Sequence, residues 1–454
     1  MVHPYLRRRD KIEPVTYPKP EIRGVLEKTL GVPLFQEQGM KLASVAAGFS
    51  PGESDRLRRA MATFRNEGTI HQYEKRFIEG MVANGYERDF AERCFNQIKG
   101  FGSYGFPEAH AASFALLVYE SAWVKHHHPE VFCCALINSQ PMGFYAPAQL
   151  VRDAREHGVE IRPVDVNRSD WDCTLEPTGG RDHAVRLGLR LVKGLNEEEG
   201  RKIVERRGAG YASPADLARR AGVSSRALNR LAEAAAFGSM GLDRQQGLWA
   251  VSGVEGEALP LFAARPAQLA LFEEEAAELP PLPPGLEVLE DYATIGLSLT
   301  RHPLALLRPA LGKLGIVPAR SLRDDGTRDG ARIRIAGIVL FRQRPQTAND
   351  TIFVTVEDES GAANIVVWSH VSERYRRAVY AGRLLACEGR VQKVGGGEHQ
   401  VIHVVAERFV DWSDQLPVLA RGTDQVVLDP ASQGRPRTAA GRGHRVTLKS
   451  RDFK

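Results

Sequence analysis

The spacing of apolar residues changes once along this chain of 454 residues, and the change limits the folds that it can adopt. Up to about residue 240 apolar residues recur every three or four positions, as in helices that bury one face. From Ala331 they recur at every second position, in RIRIAGIVLF, TIFVTVED, ANIVVW, RLLACEGRVQKV and HQVIHVVAERFV. Five strands of this kind in about eighty residues predict a small antiparallel barrel, with the oligonucleotide-binding (OB) fold as the leading candidate.

The two patterns together predict a multidomain protein that is mainly α-helical and carries one small all-β barrel. Hydrophobic residues make up 43% and charged residues 26% of the chain, which excludes wholesale disorder. The net charge is only +5, but basic residues cluster at 7–9, at 56–59 and in the last twenty residues. Such local patches suit a polyanionic partner, although a solvated face is the commoner cause of a single basic run.

Five cysteines without a C-x-x-C pair indicate buried, reduced thiols, and the sequence offers no metal site. No apolar run approaches twenty residues and the N-terminus lacks a signal-peptide pattern. We therefore expect a cytoplasmic protein with no membrane partner.

Two similar units between residues 184 and 240 predict a tandem helix-hairpin-helix region. The first is VKGLNEEEGRKIVERR and the second is RAGVSSRALNRLAEAAAFGSMG. Each has a glycine followed by an apolar residue, Gly194-Leu195 and Gly222-Val223, ahead of a helix. Backbone N–H groups at such a turn, beside a helix N-terminus, suit a DNA phosphate. These four residues are predicted to face DNA.

A third motif, GFGSYGFPEAHAASF, fits the glycine spacing of a dinucleotide-binding loop. That interpretation fails because the preceding segment ERDFAERCFNQIK has a helical pattern, whereas the dinucleotide loop follows a strand. Two readings stay open from the residues alone. One is a phosphate-binding loop with Lys99, Tyr104 and His110 as donors; the other is a turn between buried helices. The apolar stretch 111–124 predicts a helix buried on most of its surface.

Several long motifs resemble the C-family bacterial DNA polymerases, the family of the DNA polymerase III alpha subunit, and its error-prone, damage-inducible branch in particular. They are GVPLFQEQGMKLA, DRLRRAMATFR, YGFPEAHAASFALLVYESAWVKHHHPEVFCCALINSQPMGFYAPAQLVRDA, VRLGLRLVKGL and the terminal KSRDFK. The resemblance covers nearly the whole chain. It implies an order of fingers, tandem helix-hairpin-helix and OB barrel, and a role in damage-induced translesion synthesis.

The resemblance also implies which residues face the incoming deoxynucleoside triphosphate. These are the paired Arg58 and Arg59 of the DRLRR motif and the loop-helix from Gly105 to His110. Lys99 and Tyr104, the further donors proposed from the residues alone, complete the candidate phosphate site. Arginine suits this task because its planar guanidinium binds phosphate oxygens and stays charged. The glycine-rich loop of the motif GFGSYGFPEAHAASF is therefore interpreted as facing a triphosphate.

The motifs imply a polymerase segment that begins near the fingers. Members of the family carry metal-binding aspartates in a palm domain, and nothing in this sequence replaces them. We expect no catalytic residue and no metal in this chain, with Mg²⁺ bound by the palm of a longer or split polymerase. Two interpretations remain open, a portion of a translesion polymerase and a non-catalytic DNA-binding protein. The genomic sequence upstream of Met1 would discriminate between them.

The expected domains follow from the motifs and the composition. They are the C-terminal part of the fingers at 1–150, the helix-hairpin-helix region at 151–245, a flexible linker at 246–290, a short helical connector at 291–330, the barrel at 331–411 and a basic flexible tail at 412–454. In the barrel we expect phosphate contacts from Arg332, Arg334, Arg342, Arg344 and Lys393. Phe341, Phe353 and Trp368 are candidates for base stacking, although some of them must be core.

The expected partners are primer-template DNA, single-stranded template and a deoxynucleoside triphosphate. Within the linker, QLALF resembles the peptide that bacterial polymerases insert into the sliding clamp. Its residues are Gln268, Leu269, Ala270, Leu271 and Phe272. A chance apolar cluster in a linker is an alternative at least as strong as the clamp peptide. The resemblance also implies that the error-prone branch is usually recruited by damage-inducible accessory proteins, which weakens the clamp interpretation further.

Overall fold

The computed structural model describes residues 2–61, 69–99, 107–143, 145–180, 183–254, 279–345, 350–395, 400–430 and 451–453. The chain divides into two compact units, residues 1–126 and 127–454. Within the described ranges, no helix has the length and apolar character that crossing a membrane requires.

The first unit is helical, as the period of its apolar residues predicts. Its helices are α1 (Val2–Arg9), α2 (Pro20–Leu26), α3 (Gln36–Val45), α4 (Pro51–Met61), α5 (Glu74–Ala83), α6 (Arg88–Lys99) and α7 (Glu108–His127). The core between α3 and α6 is built on fully buried Leu42, Leu57, Phe77 and Phe95. The ring centroids of Phe77 and Phe95 lie 5.6 Å apart, a spacing typical of favourable aromatic pairs.

Helix α7 departs from the prediction that 111–124 is buried on most of its surface, because none of its residues is buried. Tyr119 is 71% exposed, Val118 63% and Leu116 60%. An all-apolar sequence shows that a helix needs covering, but it does not show which surface covers it.

The second unit begins with helices packed around a small sheet. The elements are α8 (Pro129–Asn138), α9 (Pro147–Glu156), β1 (Ile161–Arg162), β2 (Thr174–Pro177), β3 (His183–Arg186), α10 (Glu197–Glu205), α11 (Pro214–Ala221), α12 (Ser225–Glu233) and α13 (Arg244–Ser252). The strand order is β1-β3-β2. Cys133 and Cys173 are free thiols in this core, and burial raises the pKa of each to about 12. They therefore behave as apolar residues.

The predicted five-stranded barrel is confirmed. Helices α14 (Pro284–Thr294) and α15 (Pro303–Lys313) lead into β4 (Arg332–Gln343), β5 (Ile352–Asp358), β6 (Gly361–Val367), α16 (Ser369–Arg374), α17 (Arg376–Ala381), β7 (Leu384–Val394) and β8 (Val401–Asp411). The strand order is β5-β6-β8-β7-β4, and pairing of β4 with β5 closes the barrel. The pairing is antiparallel as predicted except between β6 and β8, which are parallel. A short strand β9 (Arg451–Phe453) pairs in parallel with β4.

Two expected boundaries differ from the structure. Helix α14 begins at Pro284, inside the expected linker, while residues 255–278 lie outside the described ranges. The expected flexible tail from 412 is ordered at its start, because Trp412, Leu416 and Leu419 are buried in the cluster that also holds Leu289 of α14. The run LPVLA supplies the apolar groups for this packing.

Gly337 stands where the barrel closes, and we expect Gly337→Ala to destabilise it. A Cβ atom there would lie 2.8 Å from the amide nitrogen and from the carbonyl oxygen of Glu357. Overpacking of this kind costs about 1–3 kcal/mol. Hydrogen exchange of the β4 and β5 amides measures the loss. The control Gly326→Ala has open space around its new methyl group, and equal exchange in the two variants would contradict the account.

Candidate nucleic-acid interface

The two arginines predicted to face a nucleotide share one carboxylate on the exposed side of α4. Arg58 lies 3.0 Å and Arg59 2.9 Å from Asp55, and their side chains are 41% and 73% exposed. The hydrogen bond from Arg58, assisted by the charge of Arg59, holds the pKa of Asp55 below its usual range. A phosphate that binds these guanidinium groups must therefore compete with Asp55.

The other residues of the predicted triphosphate site lie on two further helices or outside the described ranges. Lys99 is the last residue of α6. His110 lies in the first turns of α7, where its ring centroid is 4.4 Å from that of Phe114. Tyr104 and Gly105 belong to residues 100–106, which the structure does not describe. The placement of these four residues around a nucleotide stays a prediction.

The two hairpin glycines both adopt the left-handed backbone that such turns require. The φ angle is 86° at Gly194 and 64° at Gly222, where a residue with a side chain would be strained. The apolar residues that follow them, Leu195 and Val223, are buried and anchor each turn to the core. The predicted tandem arrangement is therefore present in the second unit.

Charge distinguishes the first hairpin from the second. The first turn of α10 holds Glu197, Glu198 and Glu199, which complement its helix dipole and would repel a phosphate. Next to Gly194, the Lys193 ammonium is 2.6 Å from the carbonyl oxygen of Tyr292. The first hairpin therefore contacts α14 through Lys193, and the DNA contact of Gly194 and Leu195 stays a prediction.

The second hairpin differs from the first in the charge at the start of its helix. No acidic residue lies in the first turn of α12, and Arg226 in that turn is exposed. Among the described residues, no carboxylate lies within ion-pairing distance of Arg226. The Ser224 N–H donates to Glu199 at 2.9 Å, so α10 holds this turn in place. The hairpin motif did not single out Arg226. A basic residue two positions after the hairpin residue Ser224 could have indicated a phosphate contact.

Most of the barrel cations predicted to contact phosphate are already paired. Arg332 lies 2.7 Å from Glu407, Arg334 lies 3.3 Å from Glu388, and Arg344 lies 2.7 Å from Asp350. The hydrogen bond from Arg332 lowers the pKa of Glu407. Exposed pairs of this kind contribute little to stability, so their arginines stay accessible to a competing phosphate. The Lys393 ammonium is 3.5 Å from the carbonyl oxygen of Asp324.

Arg342 must be removed from the predicted phosphate contacts. It is 6% exposed, and its guanidinium donates to the carbonyl oxygens of Val379 and Gly382. These bonds tie the end of β4 to α17 and to the turn before β7. Because a buried guanidinium needs all its donors satisfied, Arg342 is a structural residue.

The predicted stacking residues divide by exposure. Phe341 and Phe353 are only partly exposed on their strands, whereas Trp368 is 47% exposed directly after β6. Tyr380 of α17 was not among the predicted stacking residues. It is exposed, and its ring centroid lies 5.9 Å from the Arg376 guanidinium. Exposed aromatic rings beside arginines are the surface that single-stranded nucleic acids use for stacking.

Across the described ranges, no group of three or more His, Cys, Asp and Glu side chains is arranged to hold a metal ion. These residues do not fit the Mg²⁺ ions that the resemblance implies for a whole polymerase. The predicted clamp peptide at Gln268, Leu269, Leu271 and Phe272 lies outside the described residues and stays a hypothesis.

Comparison with known families matches three separate parts of the chain. Residues 1–85 match the bacterial DNA polymerase III alpha subunit finger domain. Residues 158–247 match the helix-hairpin-helix motif, and residues 333–408 match the OB-fold nucleic acid binding domain. The chain is therefore similar to the DNA polymerase III alpha subunit in its finger domain, which is followed along the chain by two nucleic-acid-binding modules.

Curated relatives agree with these matches over nearly the full chain. Error-prone DNA polymerase 1 of Rhizobium meliloti (strain 1021) is 52% identical over 97% of this chain and 41% of its own length. Error-prone DNA polymerases of Sinorhizobium medicae and Caulobacter vibrioides are both 53% identical, over 93% and 92% of this chain and 39% and 41% of their own lengths. The chain thus spans about two fifths of the length of these relatives.

A solved structure, asparaginyl-tRNA synthetase from Pyrococcus horikoshii, matches 18% of the chain and 20% of its own, at 27% identity and a TM-score of 0.16. This short match carries no argument about the fold or the function.

The asymmetry of the hairpins predicts which one binds duplex DNA. Arg226→Ala should weaken duplex binding and reduce the slope of log K against log salt by about 0.9, the value for one lost phosphate contact. Fluorescence anisotropy across a salt series measures this slope. The control is Arg201→Ala in the first hairpin unit, where the arginine is paired with Glu197 at 2.7 Å. Equal effects from both variants would contradict the asymmetry.

The exposure of Trp368 predicts a stacking contact with single-stranded DNA. Trp368→Ala should cost about 1–3 kcal/mol of binding free energy, because one base loses its aromatic partner. Titration of a labelled oligo-dT measures the affinity. Trp249→Ala removes an exposed tryptophan from α13, away from the barrel, and should leave the affinity unchanged. A Trp368 variant that binds as well as the wild type would refute the contact.

Proposed function

We propose that this chain carries the nucleotide-facing, duplex-holding and single-strand-holding parts of an error-prone DNA polymerase. In this proposal the polymerase extends DNA from deoxynucleoside triphosphates during damage-induced translesion synthesis. The observation that supports it most is the order of three matched modules, in a chain 52% identical to an error-prone polymerase over 97% of its length.

Each module has its own task in the proposed polymerase. The exposed Arg58 and Arg59 bind the triphosphate oxygens after releasing Asp55, since a bidentate phosphate contact is stronger than an exposed ion pair. The hairpin of α12 holds the duplex backbone through Arg226, which is exposed in the first turn of that helix. The barrel holds the single-stranded template through stacking on Trp368 and through arginine contacts.

Phosphoryl transfer itself is assigned to residues outside the described ranges. We infer that the Mg²⁺ ions of the complete polymerase are held by carboxylates there, because the described side chains offer no group that could bind them. We infer that the described part of the chain contributes binding and positioning of both substrates rather than the chemical step.

The cellular setting belongs to the same proposal. We expect the polymerase to act in the cytoplasm, in the DNA-damage (SOS) response, with recruitment by accessory proteins or by the sliding clamp. Anisotropy of a labelled peptide of residues 260–278 with purified clamp tests the clamp contact, and absence of saturable binding removes it.

The nucleotide-facing role predicts a selective loss of triphosphate binding. In the double variant Arg58→Ala, Arg59→Ala, photocrosslinking to a labelled deoxynucleoside triphosphate on primer-template should fall at least about tenfold, because two charge-assisted contacts disappear. Binding of primer-template, measured by anisotropy, should hold. Arg93→Ala, an exposed arginine of α6 paired with Asp89, is the matched control. Unchanged crosslinking in the double variant would refute the role of α4.

The assignment of chemistry to other residues predicts that the purified 454-residue chain binds primer-template DNA but does not extend it. Gel analysis of primer extension with Mg²⁺ and all four triphosphates measures this. A mock preparation from the same host controls for contaminating polymerases. Extension above that control would show that the chain holds its own catalytic site.

A further inference from the structure

Helix α7 exposes apolar side chains on almost every side. Between residues 111 and 124 the non-apolar positions are Ser113, Glu120 and Ser121. Successive helix residues turn by about 100°, so the large exposed apolar residues of this segment are spread around the helix. They are Phe114, Leu116, Leu117, Val118, Tyr119 and Trp123.

A helix that is apolar all round belongs in a protein core or in a membrane. A membrane-spanning position is excluded for α7, because no described helix is long and apolar enough to cross a membrane. Large contiguous apolar patches on soluble proteins mark surfaces that another protein covers. The partner must enclose the helix, whereas a twofold contact with a second copy would cover only one self-complementary stripe.

We propose that α7 is the docking surface for the segment of a polymerase of this family that has no counterpart in this chain. The length of the relatives supports this occupant, because the Rhizobium meliloti relative aligns to this chain over only 41% of its length. The inference rests on the proposed function. It holds whether that segment belongs to the same polypeptide or to a separate one.

The first turn of α7 is fixed to the unit that carries the nucleotide-facing arginines. The N–H of Glu108 donates to Glu37 of α3 at 2.9 Å, and the Glu108 carboxylate lies 3.6 Å from the Lys28 ammonium. Helices α3 and α4 share one core through Leu42 and Leu57. The docking surface and the nucleotide-facing arginines therefore belong to the same unit of the chain.

Coexpression tests the proposal directly. The 454-residue chain is coexpressed with the part of the Rhizobium meliloti polymerase that the alignment leaves out. We expect a one-to-one complex by light scattering. We also expect hydrogen exchange of amides 111–124 to be fast in the free chain and at least tenfold slower in the complex. If the segment alone is insoluble, a single polypeptide with the segment fused ahead of this chain takes its place in the exchange measurement.

Matched variants locate the contact. Leu117→Asp and the milder Tyr119→Ser should each weaken the complex, by at least tenfold for Leu117→Asp, with helix content unchanged by circular dichroism. The control Trp249→Asp places the same charge at an exposed apolar position of α13 and should change affinity less than twofold.

Several outcomes would overturn the proposal. They are a folded segment that does not associate, slow exchange of 111–124 already in the free chain, a complex that tolerates Leu117→Asp, and an α7-mediated dimer that the segment does not displace. The proposed function is tested separately by nucleotide crosslinking and DNA binding. A complex that forms without nucleotide binding by Arg58 and Arg59 would retain the docking surface and reject the role of α4.

Discussion

Two buried carboxylates at the end of β5 hold the second unit together. Glu357 is 5% exposed and lies 3.0 Å from Arg152 of α9, and burial raises its pKa. Asp358 accepts the Ala319 N–H at 2.8 Å and lies 2.8 Å from Arg308 of α15. Loss of one partner of a buried ion pair costs about 3–5 kcal/mol, because the other charge is left uncompensated. These contacts join the barrel to α9, to α15 and to the segment that leads into β4.

The basic side chains of the second unit also divide into those that bind groups within the fold and those that are exposed and available to DNA. Lys193 supports the end of α14, and Arg342 closes the barrel end against α17. Arg342 was expected to contact phosphate and Lys193 precedes the hairpin residue Gly194, and both have backbone carbonyl oxygens as partners. Arg226 and Arg344 differ because they lie at exposed positions. The cationic surface relevant to DNA is thus smaller than the count of basic residues indicates.

The sequence predicted the parts of this fold that depend on local spacing. The alternation from Arg332 to Asp411 identified all five barrel strands, and the glycines at 194 and 222 identified both hairpins. It did not predict the buried state of Arg342, two positions before the exposed Arg344. Strand alternation places these residues on one face, but β4 ends at residue 343 and carries an irregularity near Val339.

Contacts between distant residues account for the other differences. Glu199 and Ser224 are 25 positions apart, so the electrostatic inequality of the hairpins is visible only in three dimensions. The burial of α7 was predicted from an apolar run that carries no information about the covering surface. The nucleotide-facing residues were assigned by family resemblance, since neither Arg58 nor Arg59 differs by pattern from an ordinary solvated arginine.

The bond from Ser224 to Glu199 has a consequence for how the tandem motif can change over time. Through this bond the first copy of the duplicated unit supports the turn of the second copy. The two copies therefore tolerate different substitutions. This support requires an acidic side chain of the right length at position 199, because its carboxylate accepts the Ser224 N–H, while the second copy keeps Arg226 exposed. In the proposed function only the second copy contacts the double helix, and the first copy supports its turn.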